Sequence, residues 1–506
     1  MFNFTRALDR NADRAPNRDA VIFGDTRITN RILCDRVNAL AASLIDLGLR
    51  SNDVIALVMT NCPEYLEATL AINKIGAIFL AVNYRLAPPE WQYIINNAQA
   101  KAVIAGAEYS DALDGIAGNL TTKIVVGDES KGWRAYASLI NANFGARVPT
   151  ADVKADSVQR LMYTSGTTSR PKGVPITYGN VLWKTFGHMV ELGLTSDDRT
   201  LMAGPMYHVG AFDLPGTGTL YVGGSLVILP KFDPVDVMDT IERERPTNIW
   251  LAPAMLNAIL QLSDIRYYDA SSIRFIVNGG EKMPVSIIEK VLAAFPNAWL
   301  ADAYGLTETV SGDTFLDRAS VISKIGSVGK PVLHIDVMIE RENGEAAAPN
   351  ELGEILLRGP KVFNGYWNDP EATATAIRNG WFHTGDIGRL DSDGYLYIED
   401  RKKDMIVSGG ENIATPEIER VLYQHPAVLE AAVIGMPDER WGEVPKAFVV
   451  LKGGHSPSSN DLLEYCRSQL AKFKVPRIVV FVDKLPRNPS GKVLKRELRE
   501  HKGKEP

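Results

Sequence analysis

Eleven residues, Tyr163-Thr-Ser-Gly-Thr-Thr-Ser-Arg-Pro-Lys-Gly173, place hydroxyls, glycines and two cations directly after the strand-like run Val158–Met162. Glycine lets a backbone N–H approach an anion closely, Thr and Ser hydroxyls add donors, and Arg170 and Lys172 supply charge, which together suit a polyphosphate. The spacing is not that of a Walker A loop, which needs four residues between its first Gly and a Gly-Lys-Ser/Thr end. Taken alone, the same residues also read as a solvated Ser/Thr linker.

A phosphate cradle needs rigid elements behind it, and the sequence supplies them. From Ser272 the order reads strand (Arg274–Asn278), Gly279-Gly280 turn, helix (Val285–Phe295) and strand (Ala298–Asp302), then Tyr304-Gly-Leu-Thr-Glu308. This predicts a βαβ unit with parallel strands, which binds ligands outside the carboxyl ends of its strands, where both the turn and the Tyr304–Glu308 loop fall. Residues 330–400 change to short strands such as Glu354–Arg358 and Tyr395–Glu399 among Gly, Pro, Asn and Asp, predicting a β-rich subdomain. Asp400-Arg-Lys-Lys-Asp404 forms a charged joint. Beyond it follow a helix (Pro416–His425), strands near Ala431–Gly435 and Lys446–Leu451, a helix opened by Ser459 or Asn460, and a strand at Ile478–Val482. The expected architecture is α/β: a large N-terminal domain (1–400) with parallel-containing sheets and a β-rich subdomain, and a small mobile α+β domain (401–506).

At 506 residues and 45% apolar content the chain exceeds a single core and is globular in composition. Met1–Arg10 carries no apolar signal core, and no run approaches the roughly 18 apolar residues of a membrane span, so a soluble, cytoplasmic protein without an integral membrane segment is expected. Cys34, Cys62 and Cys466 lie far apart without metal-ligand spacing, so neither a disulfide nor zinc is expected. The net charge of −6 argues against generic nucleic-acid binding. It is unevenly spread: residues 401–506 carry 19 Lys and Arg against 14 Asp and Glu, net +5, leaving −11 for residues 1–400. A basic small domain suits an anionic ligand arriving on the C-terminal side, and suits a solvated surface equally.

Further segments extend the pattern: Met206-Tyr-His-Val209, Gly353-Glu354 through Gly359, Gly365-Tyr-Trp367, Trp381-Phe-His-Thr-Gly-Asp386, Asp400-Arg401, Ser408-Gly-Gly-Glu-Asn412 and Asn488-Pro-Ser-Gly-Lys492. In this order, with Tyr163–Gly173 and Tyr304–Glu308, they resemble nearly end to end the adenylate-forming superfamily of acyl-CoA synthetases, peptide-synthetase adenylation domains and beetle luciferases. The resemblance implies a two-step reaction in which a carboxylate attacks the α-phosphate of Mg-ATP and a thiol then displaces AMP. It further implies that Thr164, Ser165, Gly166, Thr167, Thr168 and Lys172 hold the β- and γ-phosphates, that Thr307 meets the α-phosphate and that Glu308 ligates Mg²⁺. Tyr304 would stack on adenine against Gly279, Gly280 and Glu281, with Asp302 accepting from the adenine amino group and Ala303 and Gly305 lining the same site. Asp386 and Arg401 would hold the ribose. Lys492 would catalyse the first step, Lys403 would serve as hinge, and Gly409 and Gly410 would line a pantetheine tunnel after the small domain rotates. Trp441, Phe473 and Arg477 are candidates for the CoA face.

Phe186, His208, Val209, Gly210, Trp250 and Val310 stand at acyl-pocket positions of that family, with His208 read as a wall rather than a base. They are mostly apolar, which disfavours an amino acid and favours an apolar acid, a fatty acid slightly ahead of an aryl acid of the benzoate or cinnamate type. Gly216 and Gly218 would lengthen the pocket or serve packing, and Trp250 would shorten it. Loading of a carrier protein, or a silent nucleotide-binding protein, are the competing functions, and a homodimer is left open. Ser169 departs from the family's usual Gly in the phosphate loop, and Ala414-Thr415-Pro416 departs from its usual aromatic-Pro run.

Overall fold

Short runs of β-branched and small apolar residues, Val54–Val58, Ile78–Ala81 and Ala102–Gly106, are buried at every position. Strands buried on both faces belong inside parallel sheets covered by helices, and that is where they lie. The computed structural model describes residues 3–116, 118, 120–128, 131–164, 171–280, 283, 285–401, 404–408, 411–438, 441–470, 472–487 and 493–500, with only the backbone at Ser286, Arg401, Val407, Glu411, Asn412, Gly442 and Phe473. Among them, a seven-stranded sheet runs in the order Arg134–Ala135, Thr122–Val126, Ala102–Gly106, Val54–Val58, Ile78–Ala81, Val158–Thr164 and Lys172–Thr177. All pairings are parallel except the last, an antiparallel hairpin.

A nine-stranded sheet contains the predicted βαβ unit. Phe275–Asn278 and Trp299–Tyr304 pair in parallel, linked by the helix Val285–Ala294, and Asn278 stands opposite Asp302. One apolar core joins the two sheets, with Leu57 and Phe79 from one, Val277 and Ala301 from the other, and Phe212 between helices. The β-rich subdomain is a five-stranded antiparallel sheet built from Asp336–Glu340, Gly353–Arg358, Ile377–Arg378, Trp381–Leu390 and Leu396–Arg401.

The C-terminal module has its own core around Ile406, Ile418, Val433, Val449, Leu462 and Cys466. Its central hairpin, Val428–Asp438 with Gly442–Leu451, is longer than the apolar runs predicted, because pairing continues through Pro437 and Glu443 to Asp438 and Gly442. The helix Ser459–Gln469 is capped by the Ser458 hydroxyl, one residue before the predicted start. All three cysteines are free, and burial raises the Cys34 and Cys466 thiols to about 11 each. Among the described residues no helix is long and apolar enough to cross a membrane.

Candidate active site

The hairpin that flanks the phosphate-like loop fixes its two ends. Thr164 closes one strand, Lys172 opens the next, and the two are paired directly. Ser165, Gly166, Thr167, Thr168, Ser169 and Arg170 lie outside the described residues. Gly173 leaves little room for a side chain, since a Cβ there would lie 3.0 Å from both the Trp367 Cβ and the Tyr163 ring.

At the carboxyl ends of the parallel strands, Gly279 packs on the next strand so closely that a Cβ would fall 2.9 Å from the Ala303 carbonyl, and Gly280 follows with φ +99°. Glu281 lies outside the described residues. Asn278 Nδ2 donates to Asp302 Oδ1 at 2.8 Å, and the Ala303 N–H donates to the same oxygen at 3.1 Å. Burial nonetheless outweighs these bonds and pushes the Asp302 carboxyl up to about 7. Tyr304 ends the strand, and its hydroxyl donates to Asp386 Oδ2 at 2.7 Å. Asp386 in turn is the register partner of Arg401. Residues expected at adenine and at ribose thus meet where Asn278, Tyr304 and Asp386 bring three strands together.

After Tyr304 the chain makes a tight excursion. Gly305 allows it, because a Cβ there would lie 2.4 Å from the Gly312 nitrogen. Thr307–Thr309 forms a single 3-10 turn, and then Val310, Ser311 and Gly312 adopt φ of 58°, 62° and 61° in succession. A β-branched residue in that region costs on the order of 1–3 kcal/mol and persists only where surroundings dictate it. Here Lys361, 2% exposed, donates to the Ser311 and Gly312 carbonyls at 2.7 Å each and pairs with Asp313 at 2.9 Å. His188 Nε2 lies 3.0 Å from the Gly312 carbonyl, and burial holds this imidazole well below its ordinary pKa, hence neutral and donating there. The loop so held presents Glu308, buried, whose Oε1 accepts from Tyr366 at 3.0 Å. A carboxylate oxygen on a fixed backbone is the donor that a hard cation such as Mg²⁺ prefers.

On the acyl side, His208 caps the short helix Val209–Phe212, its Nδ1 accepting from the Gly210 N–H at 3.2 Å, and its ring lies 6.2 Å from that of Trp250. The Trp250 indole is wedged between two glycines: a Cβ on Gly204 would lie 2.8 Å from it and one on Gly210 2.7 Å. Gly216 lies against the Met202 sulfur and lines an apolar cavity with Phe79, Val181 and Leu220, and Gly218 lies against Leu194. Phe186 is a correction. It is 43% exposed and meets Tyr221 on the outer side of the helix Tyr178–Leu192. Lys184 and His188, one turn apart, occupy the inward face, and a residue midway between them must point the other way.

Sequence reasoning missed the charged cluster behind this pocket. Lys184 donates to Thr217 Oγ1 and pairs with Asp213, which Arg160 also meets at 2.6 Å, all of them buried. Burial lowers the Lys184 ammonium to about 8. Only Lys184, one turn before His188 on a helix of otherwise largely apolar and small residues, would have signalled it. Elsewhere Glu340, Glu354 and His383 converge within 4.8 Å, with the Arg378 guanidinium 2.7 Å from His383 Nδ1, so a cation already attends them. Of the predicted CoA-side residues, Trp441 is exposed at the turn of the C-terminal hairpin and Arg477 is exposed at the head of the last strand. Lys403, Gly409, Gly410 and Lys492 lie outside the described residues, as do the Arg401 and Phe473 side chains.

Gly279, Gly280, Asp302 and Tyr304 gather at the carboxyl ends of two parallel strands, with Asp386 bonded to Tyr304, where such sheets bind ligands, and the comparisons make the chain an adenylate-forming enzyme. Residues 8–367 match the model of the AMP-binding enzyme family and residues 417–492 that of the AMP-binding enzyme C-terminal domain, so the chain belongs to this family. It is 39% identical over 494 residues to a feruloyl-CoA synthase of Amycolatopsis sp, covering 98% of each chain. It is 37% identical over 506 residues to a long-chain-fatty-acid–CoA ligase of Mycobacterium tuberculosis, covering 99% of this chain and 98% of the other. Among solved structures, an anthranilate CoA ligase in complex with anthranoyl-AMP superposes with a TM-score of 0.93 at 29% identity, covering 98% of this chain and 96% of that one.

Proposed function

We propose that this enzyme is an AMP-forming aryl-acid–CoA ligase. An aromatic carboxylate attacks the α-phosphorus of ATP, the bond to the β-phosphate oxygen breaks and pyrophosphate leaves. The CoA sulfur then attacks the acyl carbon, its proton goes to solvent, and AMP departs as the C–O bond breaks.

Two anions must meet in the first step, and at about 4 Å they repel by roughly 4 kcal/mol at an effective dielectric near 20. Lys172 and Thr164, with Ser165 to Thr168 between them, would neutralise the β- and γ-phosphates, Thr307 would donate to the α-phosphate, and Lys492 would bridge carboxylate and α-phosphate. Glu308 would hold Mg²⁺, which when bound spreads the phosphate charge. Tyr304 and Gly280 would flank the adenine, Asp302 would accept from its amino group, and Asp386 with Arg401 would fix the ribose. In the second step Gly409 and Gly410 would border the pantetheine, with Trp441, Phe473 and Arg477 toward the CoA nucleotide.

The choice of an aryl over a long-chain acid rests on Trp250. Its indole fills the space between Gly204 and Gly210 beside His208, which shortens the room on that side for an alkyl tail. A flat ring against His208 and Trp250 also gains offset stacking. CoA-dependent AMP release, screened across benzoates, cinnamates, acetate and fatty acids from C6 to C16, tests this. Aryl acids should exceed C12–C16 acids in kcat/KM by at least about tenfold, and Trp250→Ala should shift the optimum toward longer chains. A wild-type optimum at C12–C16 would instead select the fatty-acid reading.

A further inference from the structure

The segment from Pro360 to Trp367 touches both halves of the phosphate site, and one side chain in it touches both at once. The Tyr366 hydroxyl donates to Glu308 Oε1 at 3.0 Å, and the Lys172 ammonium lies 5.0 Å from the centre of the Tyr366 ring. The ring is fixed on several sides. Its own N–H donates to Thr373 Oγ1 at 2.9 Å, and the Phe363 ring stands edge-on at 4.9 Å. The backbone around it is anchored to the same two elements, with the Phe363 N–H donating to the Glu308 carbonyl at 2.7 Å and the Trp367 N–H to the Gly173 carbonyl at 2.8 Å. Asn180 Nδ2 secures the start of the segment through the Pro360 and Val362 carbonyls.

A hydroxyl donor fixes which way a carboxylate turns its second oxygen, and an aromatic face holds an ammonium without neutralising it. We propose that Tyr366 is a positioning residue for both charges: its hydroxyl aims Glu308 at the divalent cation and its ring seats Lys172 toward the nucleotide phosphates. Metal and phosphate recognition are thereby coupled through one side chain. This rests on the proposed roles of Glu308 and Lys172 above.

The two functions of the side chain are chemically separable, which makes the test selective. Calorimetric titration of the whole enzyme with ATP in EDTA and with Mn²⁺-ATP gives the affinity gained from the metal, a quantity independent of turnover. Glu308→Gln should abolish most of that gain. Tyr366→Phe, which removes one oxygen and keeps the ring, should reduce the gain about tenfold while leaving metal-free ATP affinity unchanged. Tyr366→Leu should lose the gain and weaken metal-free ATP as well. Tyr366→Phe added to Glu308→Gln should cost nothing further, because both act on one interaction. If Glu308→Gln loses the gain and Tyr366→Phe retains it, the positioning role of the hydroxyl is overturned and the reading of Glu308 stands. If Glu308→Gln keeps the gain, the metal reading falls and this inference with it. If Tyr366→Leu binds metal-free ATP as Tyr366→Phe does, the ring has no part in seating Lys172.

Discussion

Asp302 is a buried carboxylate with, among the described residues, Asn278 and one backbone N–H to stabilise its charge. Its carboxyl titrates near 7 in the folded chain, against about 3.9 in an unfolded one. Between these values the unfolded chain has released the proton and the folded chain has not, so the folded state binds more protons and stability falls as pH rises through that window. Asp302→Asn should therefore leave stability little changed at pH 4 and raise the thermal midpoint progressively toward pH 8. Melting curves of the two proteins that differ by the same amount at both ends of the range would show instead that Asp302 does not titrate across that window. A position that gives up stability when ionised is one where an acceptor is wanted, consistent with its proposed partner, the adenine amino group. The sequence marked Asp302 by its place before Ala303-Tyr304, yet its protonation behaviour was invisible there, because burial is a property of the assembled sheet.

At the scale of elements, the excursion from Thr307 to Asp313 owes its shape to a residue fifty positions away. Lys361 supplies two hydrogen bonds to a backbone that places Val310 in the left-handed region, and Asp313 balances its charge. Lys361→Met should lower stability by about 3–5 kcal/mol, because it leaves the Asp313 carboxylate buried without its cation. Adding Asp313→Leu should recover part of that loss, and urea midpoints of the single and double variants measure both. The strands and helices themselves were legible from period and composition: Phe275–Asn278 and Trp299–Tyr304 fall within two residues of their predicted ends. What the sequence could not convey was cross-element contact. Tyr366 was visible only as the middle of Gly365-Tyr-Trp367, and Lys361 as a lysine beside a proline. Phe186 was read by family position toward the pocket, whereas the helix turns it outward and delivers Lys184 and His188 instead. Charged residues on an inward helix face find their partners only through tertiary structure.

For the molecule as a whole, the proposed two-step reaction asks the basic C-terminal module to act in two arrangements, with the boundary at residues 400 and 401 and the hinge at Lys403. One contact bears directly on that boundary. The Asp400 carboxylate accepts from the Thr415 N–H at 2.8 Å and from its hydroxyl at 2.9 Å, meeting the helix Thr415–Gln424 at its first turn. There a carboxylate gains from both the hydrogen bonds and the helix dipole. If the chain pivots at Lys403, Asp400 stays with the large domain, Thr415 moves away, and these bonds exist in only one of the two arrangements. Asp400→Ala would then weaken that arrangement alone. Hydrogen bonds to a charged group contribute about 1.5–3 kcal/mol, so one half-reaction should slow roughly tenfold or more while the other is spared. Acid-dependent ATP–pyrophosphate exchange reads the first half-reaction, and thioester formation from supplied acyl-AMP and CoA reads the second. Equal slowing of both would mean that Asp400 travels with the small domain, which moves the pivot to the strand Leu396–Arg401 ahead of it and removes Lys403 as the hinge.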